Sequence, residues 1–254
     1  MNNVFNFLKL LLLILFLPIA AFSMILEQSL NNRDAVDVLS GKNIGYYIGS
    51  FDPLHKAHEE IVTYLLNEKI CDYILIYPSW GGDSYKKRTE LGVRLEMIFS
   101  LFKDHPNVIV TKYNPKKLQD FFVNLEKRYV AADGLEKITF YGVIGSDTAL
   151  KLTPDQPVSN LFMSGVDISK GYETHTWGGN IAIGVESFFV FKRNQDDLSE
   201  LNGKIGERDI VEISIDDSNL SSTLIRGMIK KGESIEAFVD PKILEIINKH
   251  SLYQ

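Results

Sequence analysis

From residue 44 onward, short runs rich in β-branched and aromatic residues alternate with longer runs that carry apolar residues at helical spacing. This alternation is typical of a parallel sheet with helices on both of its faces. We therefore predict one α/β domain built on a parallel sheet. In such sheets ligands bind beyond the carboxyl ends of the strands, so the loops that follow the strands are where a site is expected.

The same periodicity gives approximate bounds for the elements. Strands are predicted near residues 44–49, 72–77, 107–111, 137–143, 186–192 and 209–214. Helices are predicted near residues 56–70, 90–104, 116–130, 145–152, 222–231 and 240–250. Residues 153–184 show neither the helical nor the strand periodicity of apolar residues, and they are rich in glycine. This predicts a long loop, and long loops in compact domains often carry function.

Residues 1–23 precede this pattern and have the features of a secretory signal peptide. Lys9 supplies a positive charge, and the apolar run over residues 10–22 is shorter than the ~20 residues of a membrane span. We predict a secreted or periplasmic protein, not held in a membrane after signal removal, with one domain over residues 24–254. The alternative is translation from Met24, which predicts a cytoplasmic protein.

The net charge argues against certain binding partners, and the cysteine content excludes an internal disulfide. The formal charge of −6 argues against nucleic acid and against an anionic membrane surface as partners. Cys71 is the only cysteine, so no internal disulfide can form. Small molecules are the predicted partners, and a homo-oligomer is compatible with this composition. An anionic ligand must be held by the local groups of one site.

The loop after the first predicted strand carries two histidines. Gly49 can bend without a Cβ penalty and lets a ligand approach the backbone, and Pro53 helps to close the turn before the next helix. His55 and His58 are three residues apart, which places both rings on one face of the helix start. The free N–H groups and the positive dipole end of that helix favour an anion. A bound anion would meet backbone amides and two imidazole rings.

A second candidate segment, residues 220–226, follows the last predicted strand and reads Leu-Ser-Ser-Thr-Leu-Ile-Arg. Ser221 or Ser222 is suited to cap the next helix, which is the structural interpretation of these hydroxyls. Arg226 lies near the helix start, where a positive charge is unfavourable against the helix dipole. Its presence indicates a compensating anion, and phosphate fits because a guanidinium binds it in a bidentate way.

These segments carry a family resemblance. Residues 49–58, Gly-Ser-Phe-Asp-Pro-Leu-His-Lys-Ala-His, resemble the G-[GS]-[TS]-F-D-P-x-H-x-G-H signature of the nucleotidyltransferase superfamily. Residues 220–226 are similar to the I-S-S-T-x-I-R signature of the nicotinate and nicotinamide mononucleotide adenylyltransferases, and residues 143–147 look like that family's G-x-D motif. The resemblance covers roughly residues 43–253.

The resemblance implies a Rossmann-like fold and transfer of the adenylyl group of ATP to nicotinate or nicotinamide mononucleotide, a step of NAD biosynthesis that releases pyrophosphate. It implies catalytic roles for His55, His58 and Arg226, which would contact the ATP phosphates. The residues that it implies for nucleotide binding are Gly49, Ser50, Phe51, Asp52, Lys87, Gly145, Asp147, Ser221, Ser222 and Thr223, with Lys86 sharing the role of Lys87 and Arg94 matching a family arginine. Mg²⁺ is expected to travel on the triphosphate, and no protein metal site is predicted.

Three departures from the family pattern keep other functions open. Ala57 stands where the family usually has glycine, and residues 151–154 stand where a tryptophan commonly follows the G-x-D motif. The predicted signal peptide is the largest departure, because these enzymes normally work in the cytoplasm. One alternative is a nucleotide-binding protein with reduced catalysis, and the other is a sibling cytidylyl- or adenylyltransferase with another phosphate acceptor. Two residues also have structural interpretations, since Lys87 belongs to a charge run that solvent could cover and Asp147 could cap its helix.

Overall fold

The computed structural model describes residues 38–79, 87–111, 136, 138–150, 185–193, 196–205, 208–216 and 219–254. Four of the sequence predictions lie outside these residues: the signal peptide, Lys86, the helix near residues 116–130 and the loop over residues 153–184. Within the described residues, no helix is long and apolar enough to cross a membrane.

The described elements follow the predicted alternation. The strands are β1 (Asn43–Gly49), β2 (Tyr73–Pro78), β3 (Val108–Val110), β4 (Thr139–Gly145), β5 (Ser187–Lys192), β6 (Lys204–Ile205) and β7 (Arg208–Ser214). The helices are α1 (Lys56–Asn67), α2 (Leu91–Phe102), α3 (Ser146–Ala149), α4 (Ser222–Lys230) and α5 (Pro241–Lys249), with one turn of 3₁₀ helix at Ser199–Leu201. All six predicted strands and five of the predicted helices are confirmed, whereas β6 is too short to show a period and was missed.

The strands form one sheet in the order β3-β2-β1-β4-β5-β7-β6. Every neighbouring pair is parallel except β6 and β7, which confirms the predicted sheet. From β1 the chain winds outward to β2 and β3, and from β4 it winds the other way to β5 and β7. The direction therefore reverses between β1 and β4, and a ligand crevice is expected outside the carboxyl ends of these two strands.

Two apolar cores lie on opposite faces of the sheet, because successive strand residues point to opposite sides. Tyr46 packs into one core, together with residues of α3 and of the 3₁₀ helix. Tyr47 packs into the other, where α1, α2, α4 and α5 bury their apolar faces. The second core holds both the helix after β1 and the helix after β7, so it brings the two candidate segments to the same edge of the sheet.

Candidate functional site

A cavity of about 450 Å³ lies at the carboxyl ends of β1 and β4. Apart from Arg94, it is lined by every described residue that the resemblance implies for the site: Gly49, Ser50, Phe51, Asp52, His55, His58, Lys87, Gly145, Asp147, Ser221, Ser222, Thr223 and Arg226. Ala57, at the first departure from the family pattern, lines it as well. The structure thus brings the predicted residues together, while their individual roles stay predictions.

The two histidines stack at the start of α1. His55 is the N-cap residue, and its ring centroid lies 3.7 Å from that of His58 with an angle of 28° between the planes. The backbone N–H of His55 donates a hydrogen bond to Nδ1 of His58 at 3.2 Å. Because Nδ1 accepts this bond, a neutral His58 ring carries its proton on Nε2 and offers an N–H donor there.

His55 is 2% exposed, and neither of its ring nitrogens has a hydrogen-bond partner among the described residues. Burial, with a smaller effect of the charge on Arg193, lowers the pKa of His55 to about 3. Burial, followed by the effects of His55 and Arg193, holds the pKa of His58 well below its usual value. Both rings are therefore neutral at pH 7 and can serve as hydrogen-bond donors rather than as cations.

At Gly49 the structure shows a steric constraint that was not predicted. This glycine does not adopt a left-handed conformation, but a Cβ at this position would lie 2.8 Å from the ring of Phe51. Phe51 itself has a left-handed backbone, with φ of 50°, and its ring meets the ring of His58 edge-on at 5.0 Å. Gly49 thus makes room for an aromatic ring that supports His58.

The side chain of Asp52 is buried and hydrogen-bonded within the protein. The hydroxyl of Tyr253 donates to Oδ1 at 2.6 Å, and the backbone N–H of Thr89 donates to Oδ2 at 3.1 Å. The threonine hydroxyl also donates to the tyrosine oxygen at 3.3 Å. Asp52 therefore contributes to the site mainly by fixing its loop to two other parts of the chain.

The second segment meets the first directly. Ser221 is the N-cap of α4, as predicted, and accepts a hydrogen bond from the backbone of Leu224 at 3.1 Å. Ser222 Oγ donates to the carbonyl of Pro53 at 2.9 Å. Arg226 lies in the second turn of α4 and not in the first turn as predicted, so the helix dipole gives little reason for a compensating anion. Its Nη1 donates to the carbonyl of Asp52 at 2.6 Å and its Nη2 donates to Thr223 Oγ1 at 3.2 Å. The hydroxyls do more than cap the helix, because one of them joins the two motifs.

Arg94 is buried below the cavity and is bound entirely to backbone oxygens. Its Nε, Nη1 and Nη2 donate to the carbonyls of Thr89, Ser50 and Ser79 at 2.8–2.9 Å. The family arginine of the sequence analysis therefore does not line the cavity. It ties the loop after β1 to the loop after β2 and to the residues before α2.

Sequence analysis missed two cations at the end of β5, Lys192 and Arg193, which both line the cavity. Nη2 of Arg193 lies 3.5 Å from Oδ1 of Asp147, and its backbone N–H donates to Ser146 Oγ at 3.0 Å. The Ser146 hydroxyl in turn donates to the carboxylate of Asp196. The position of Lys192 and Arg193 at the end of a predicted strand was the one signal in the sequence, and it becomes decisive only with the strand order, in which β5 lies beside β4.

Positive charge dominates the cavity lining. The cations are Lys87, Arg88, Lys192, Arg193 and Arg226, against the carboxylates of Asp52 and Asp147. Within the described ranges, no group of three or more His, Cys, Asp or Glu side chains could hold a metal ion. The charge of the cavity lining thus favours a polyanion.

Comparison with known proteins agrees with this geometry. No protein-family model matches the chain. A "probable nicotinate-nucleotide adenylyltransferase" from Fusobacterium nucleatum is 28% identical over 210 residues, which cover 81% of this chain and 97% of that protein. A protein of the same name from Clostridium beijerinckii is 25% identical over 222 residues, which cover 84% of this chain and 100% of that protein. The resemblance to nicotinate-nucleotide adenylyltransferases is confirmed.

Solved structures of these adenylyltransferases share the fold. The nicotinic acid mononucleotide adenylyltransferase of Plasmodium falciparum, complexed with NaAD, has a TM-score of 0.57 at 19% identity, over 84% of this chain and 97% of that chain. The same enzyme complexed with APC matches to the same extent. The Rossmann-like α/β fold implied by the resemblance is therefore confirmed.

Proposed function

We propose that the chain is an adenylyltransferase that transfers the adenylyl group of ATP to nicotinate mononucleotide, forming a dinucleotide and pyrophosphate. The observation that carries this proposal is the meeting of two motifs in one cavity, where Nη1 of Arg226 lies 2.6 Å from the carbonyl of Asp52. The names of the bacterial relatives, which align with most of this chain, support the nicotinate acceptor.

The reaction balances without a covalent enzyme intermediate. An oxygen of the mononucleotide phosphate attacks the α-phosphorus of ATP, and the bond from that phosphorus to the oxygen bridging the β-phosphate breaks. Pyrophosphate leaves with the bridging oxygen and its electron pair. Because the attacking phosphate is already ionised, no general base is required, and the protein has to align the two substrates and stabilise developing charge.

The neutral histidines suit the donor role in this reaction. His58 offers Nε2–H, since its Nδ1 already accepts the backbone N–H of His55. His55 lines the cavity from a buried position, and neither of its ring nitrogens has a hydrogen-bond partner in the part of the chain that the structure describes, so its ring N–H has no competing acceptor there. Preorganised donors of this kind stabilise charge in the transition state without further reorganisation.

The cations that line the cavity suit the binding of the phosphates. In this proposal, Arg226 and the hydroxyls of Ser222 and Thr223 bind the β- and γ-phosphates that leave. Lys87 lines the cavity from the residues before α2 and bridges the phosphates of the two substrates. Mg²⁺ enters as part of the MgATP substrate, because the described carboxylates at the site are bound to protein groups.

A substrate panel tests the proposal. The purified chain is incubated with MgATP and either nicotinate or nicotinamide mononucleotide, and pyrophosphate release is measured, with CTP in place of ATP as a further arm. We expect release with ATP and the nicotinate acceptor. Binding of ATP without release in any arm would instead identify a nucleotide-binding protein, and release with CTP alone would identify a sibling cytidylyltransferase.

The compartment is a separate proposal. We propose that residues 1–23 direct export and are removed, on the grounds of the positive charge, the short apolar run and the small residues Ala21 and Ser23 at its end. Sequencing the amino terminus of the protein from its native cell tests this directly. A protein that begins at Met24 without having been exported would contradict the proposal.

A further inference from the structure

We propose that Tyr253 is a positioning residue of the nucleotide site, and that its hydroxyl, acting through Asp52, sets the place of Arg226 and of the loop after β1. The catalytic part of this inference, an effect on turnover, rests on the proposed function. The positioning role itself can be tested without catalysis, because a displaced phosphate-binding group lowers the affinity for ATP.

The contact between Tyr253 and Asp52 has the features of a strong, oriented hydrogen bond. The donor and acceptor oxygens are 2.6 Å apart, the acceptor is a carboxylate, and Asp52 is 3% exposed. Burial and the bond to Asp52 raise the pKa of the Tyr253 hydroxyl, so it stays protonated and donates throughout the working pH range. Thr89 Oγ1 donates to the same tyrosine oxygen at 3.3 Å and so fixes the direction in which the hydroxyl hydrogen points.

The effect reaches the site through the backbone of Asp52. The side chain of this residue is held by Tyr253 and Thr89, and its carbonyl accepts the hydrogen bond from Arg226 at 2.6 Å. A shift of Asp52 therefore moves the acceptor that orients the Arg226 guanidinium. Tyr253 itself does not line the cavity, so it acts on a ligand only through this relay.

The segment that carries Tyr253 is held against α2. Nζ of Lys249 and Nε2 of His250 lie 2.7 and 2.9 Å from the carboxylate oxygens of Glu96 on α2. Tyr253 has φ of 64°, a left-handed conformation that residues with a Cβ rarely adopt. An unfavourable backbone conformation persists where the surrounding contacts over-determine it, and here those contacts place a hydroxyl on Asp52.

The experiment compares Tyr253→Phe with Tyr73→Phe in the full chain. Tyr253→Phe removes the hydroxyl and keeps the ring. Tyr73 begins β2 at the opposite end of the sheet from the cavity, and it controls for the loss of one hydroxyl. For each protein we measure the affinity for ATP by calorimetry, the melting temperature, and kcat and KM for pyrophosphate release.

We expect Tyr253→Phe to bind ATP about tenfold more weakly than the control and to lose about ten- to hundredfold in kcat, since a displacement on the order of 1 Å has effects of that size. A residue that only stabilised the fold would lower the melting temperature and leave kcat and affinity unchanged below the transition. That result would overturn the inference. Thr89→Val, which removes the hydroxyl that orients Tyr253 and keeps the backbone bond to Asp52, should give a smaller change of the same sign, and it replaces Tyr253→Phe should that variant not fold.

Failure of the proposed function is distinguishable from failure of this inference. If the unaltered chain binds ATP but releases no pyrophosphate, the proposed reaction is wrong, and weaker ATP binding by Tyr253→Phe still supports the positioning role. If the unaltered chain does not bind ATP at all, both are overturned. If ATP binding and turnover by Tyr253→Phe equal those of the control, only the positioning role is overturned.

Discussion

Arg226 donates from Nη1 to the backbone carbonyl of Asp52 at 2.6 Å, so the guanidinium that faces the cavity is oriented by the loop that carries the histidines. The same guanidinium reaches Thr223 Oγ1 from Nη2 at 3.2 Å. An arginine can make both contacts at once because its donors form a planar fork, whereas the ammonium group of a lysine is a compact point charge.

Arg226→Lys should therefore keep the charge of the site and lose its geometry. We expect KM for ATP to rise and kcat to fall, each by roughly tenfold, which corresponds to about 1.4 kcal/mol. Steady-state pyrophosphate release measures both. Lys230→Ala, on the exposed end of the same helix, is the control and should leave both constants unchanged. Equal KM values in the two variants would show that charge alone is sufficient at this position.

His58→Ala should lower kcat by about two orders of magnitude, the usual cost of removing one preorganised donor at an active site. His105→Ala, at the amino end of β3, controls for the loss of a histidine. If the kcat of His58→Ala lies within a few-fold of that of this control, His58 has no catalytic role.

Stability should fall in acid because of the buried histidines. Burial depresses the pKa of His55 from 6.5 to about 3, so between these pH values the unfolded chain binds a proton that the folded chain does not. The free energy of unfolding should thus be flat above pH 6.5 and fall below it, by up to about 1.4 kcal/mol per pH unit for each such histidine. Urea unfolding over pH 4–7 measures this slope, and His55→Asn should reduce it. An unchanged slope in that variant would contradict the assignment.

Gly49→Ala should damage the site, since its Cβ would lie 2.8 Å from the Phe51 ring that supports His58. We expect activity to fall by tenfold or more and the free energy of unfolding to fall by about 1–3 kcal/mol, as in other overpacked cores. Gly92→Ala is the matched control: nothing lies within 4 Å of its added Cβ, so it should stabilise α2 by about 0.5–1 kcal/mol. Two variants that behave alike would show that the Phe51 ring adjusts without cost.

Arg94→Ala should be the most destabilising of these changes, because it leaves three carbonyl groups without their donor in a buried place. The expected loss in the free energy of unfolding is about 3–5 kcal/mol. Chemical denaturation measures it, with Arg208→Ala, at the exposed start of β7, as the control. A loss below about 1 kcal/mol would show that water replaces the guanidinium at these carbonyls.

The parts of the structure that the sequence predicted are those encoded over short distances. The strands, the helix starts and the capping by Ser221 depend on residues within a few positions of one another. Tyr253 and Asp52 are 201 positions apart, so no local pattern indicates that they share a hydrogen bond. The contact of Gly49 with Phe51 was not predicted for a related reason, since the direction of the Phe51 ring depends on a left-handed backbone that its residue type does not suggest.

The position of Arg193 is encoded partly by the local sequence and partly by long-range contacts. Its position after β5 follows from the local pattern, but its place beside Asp147 depends on the strand order, in which β5 is the neighbour of β4. Without that order, an arginine at a strand end is indistinguishable from a solvated one. Once the strand order is known, the position of Arg193 at the end of β5 predicts that it lines the site.

The contacts that join the two motifs also determine when the site can form during folding. Asp52 meets Arg226 across 174 positions and Tyr253 across 201, and closing such long loops costs entropy before any contact is gained. These contacts should therefore form after the local strand and helix pairs, late on the folding path. A ligand that needs the finished site would then slow unfolding and leave the folding rate unchanged.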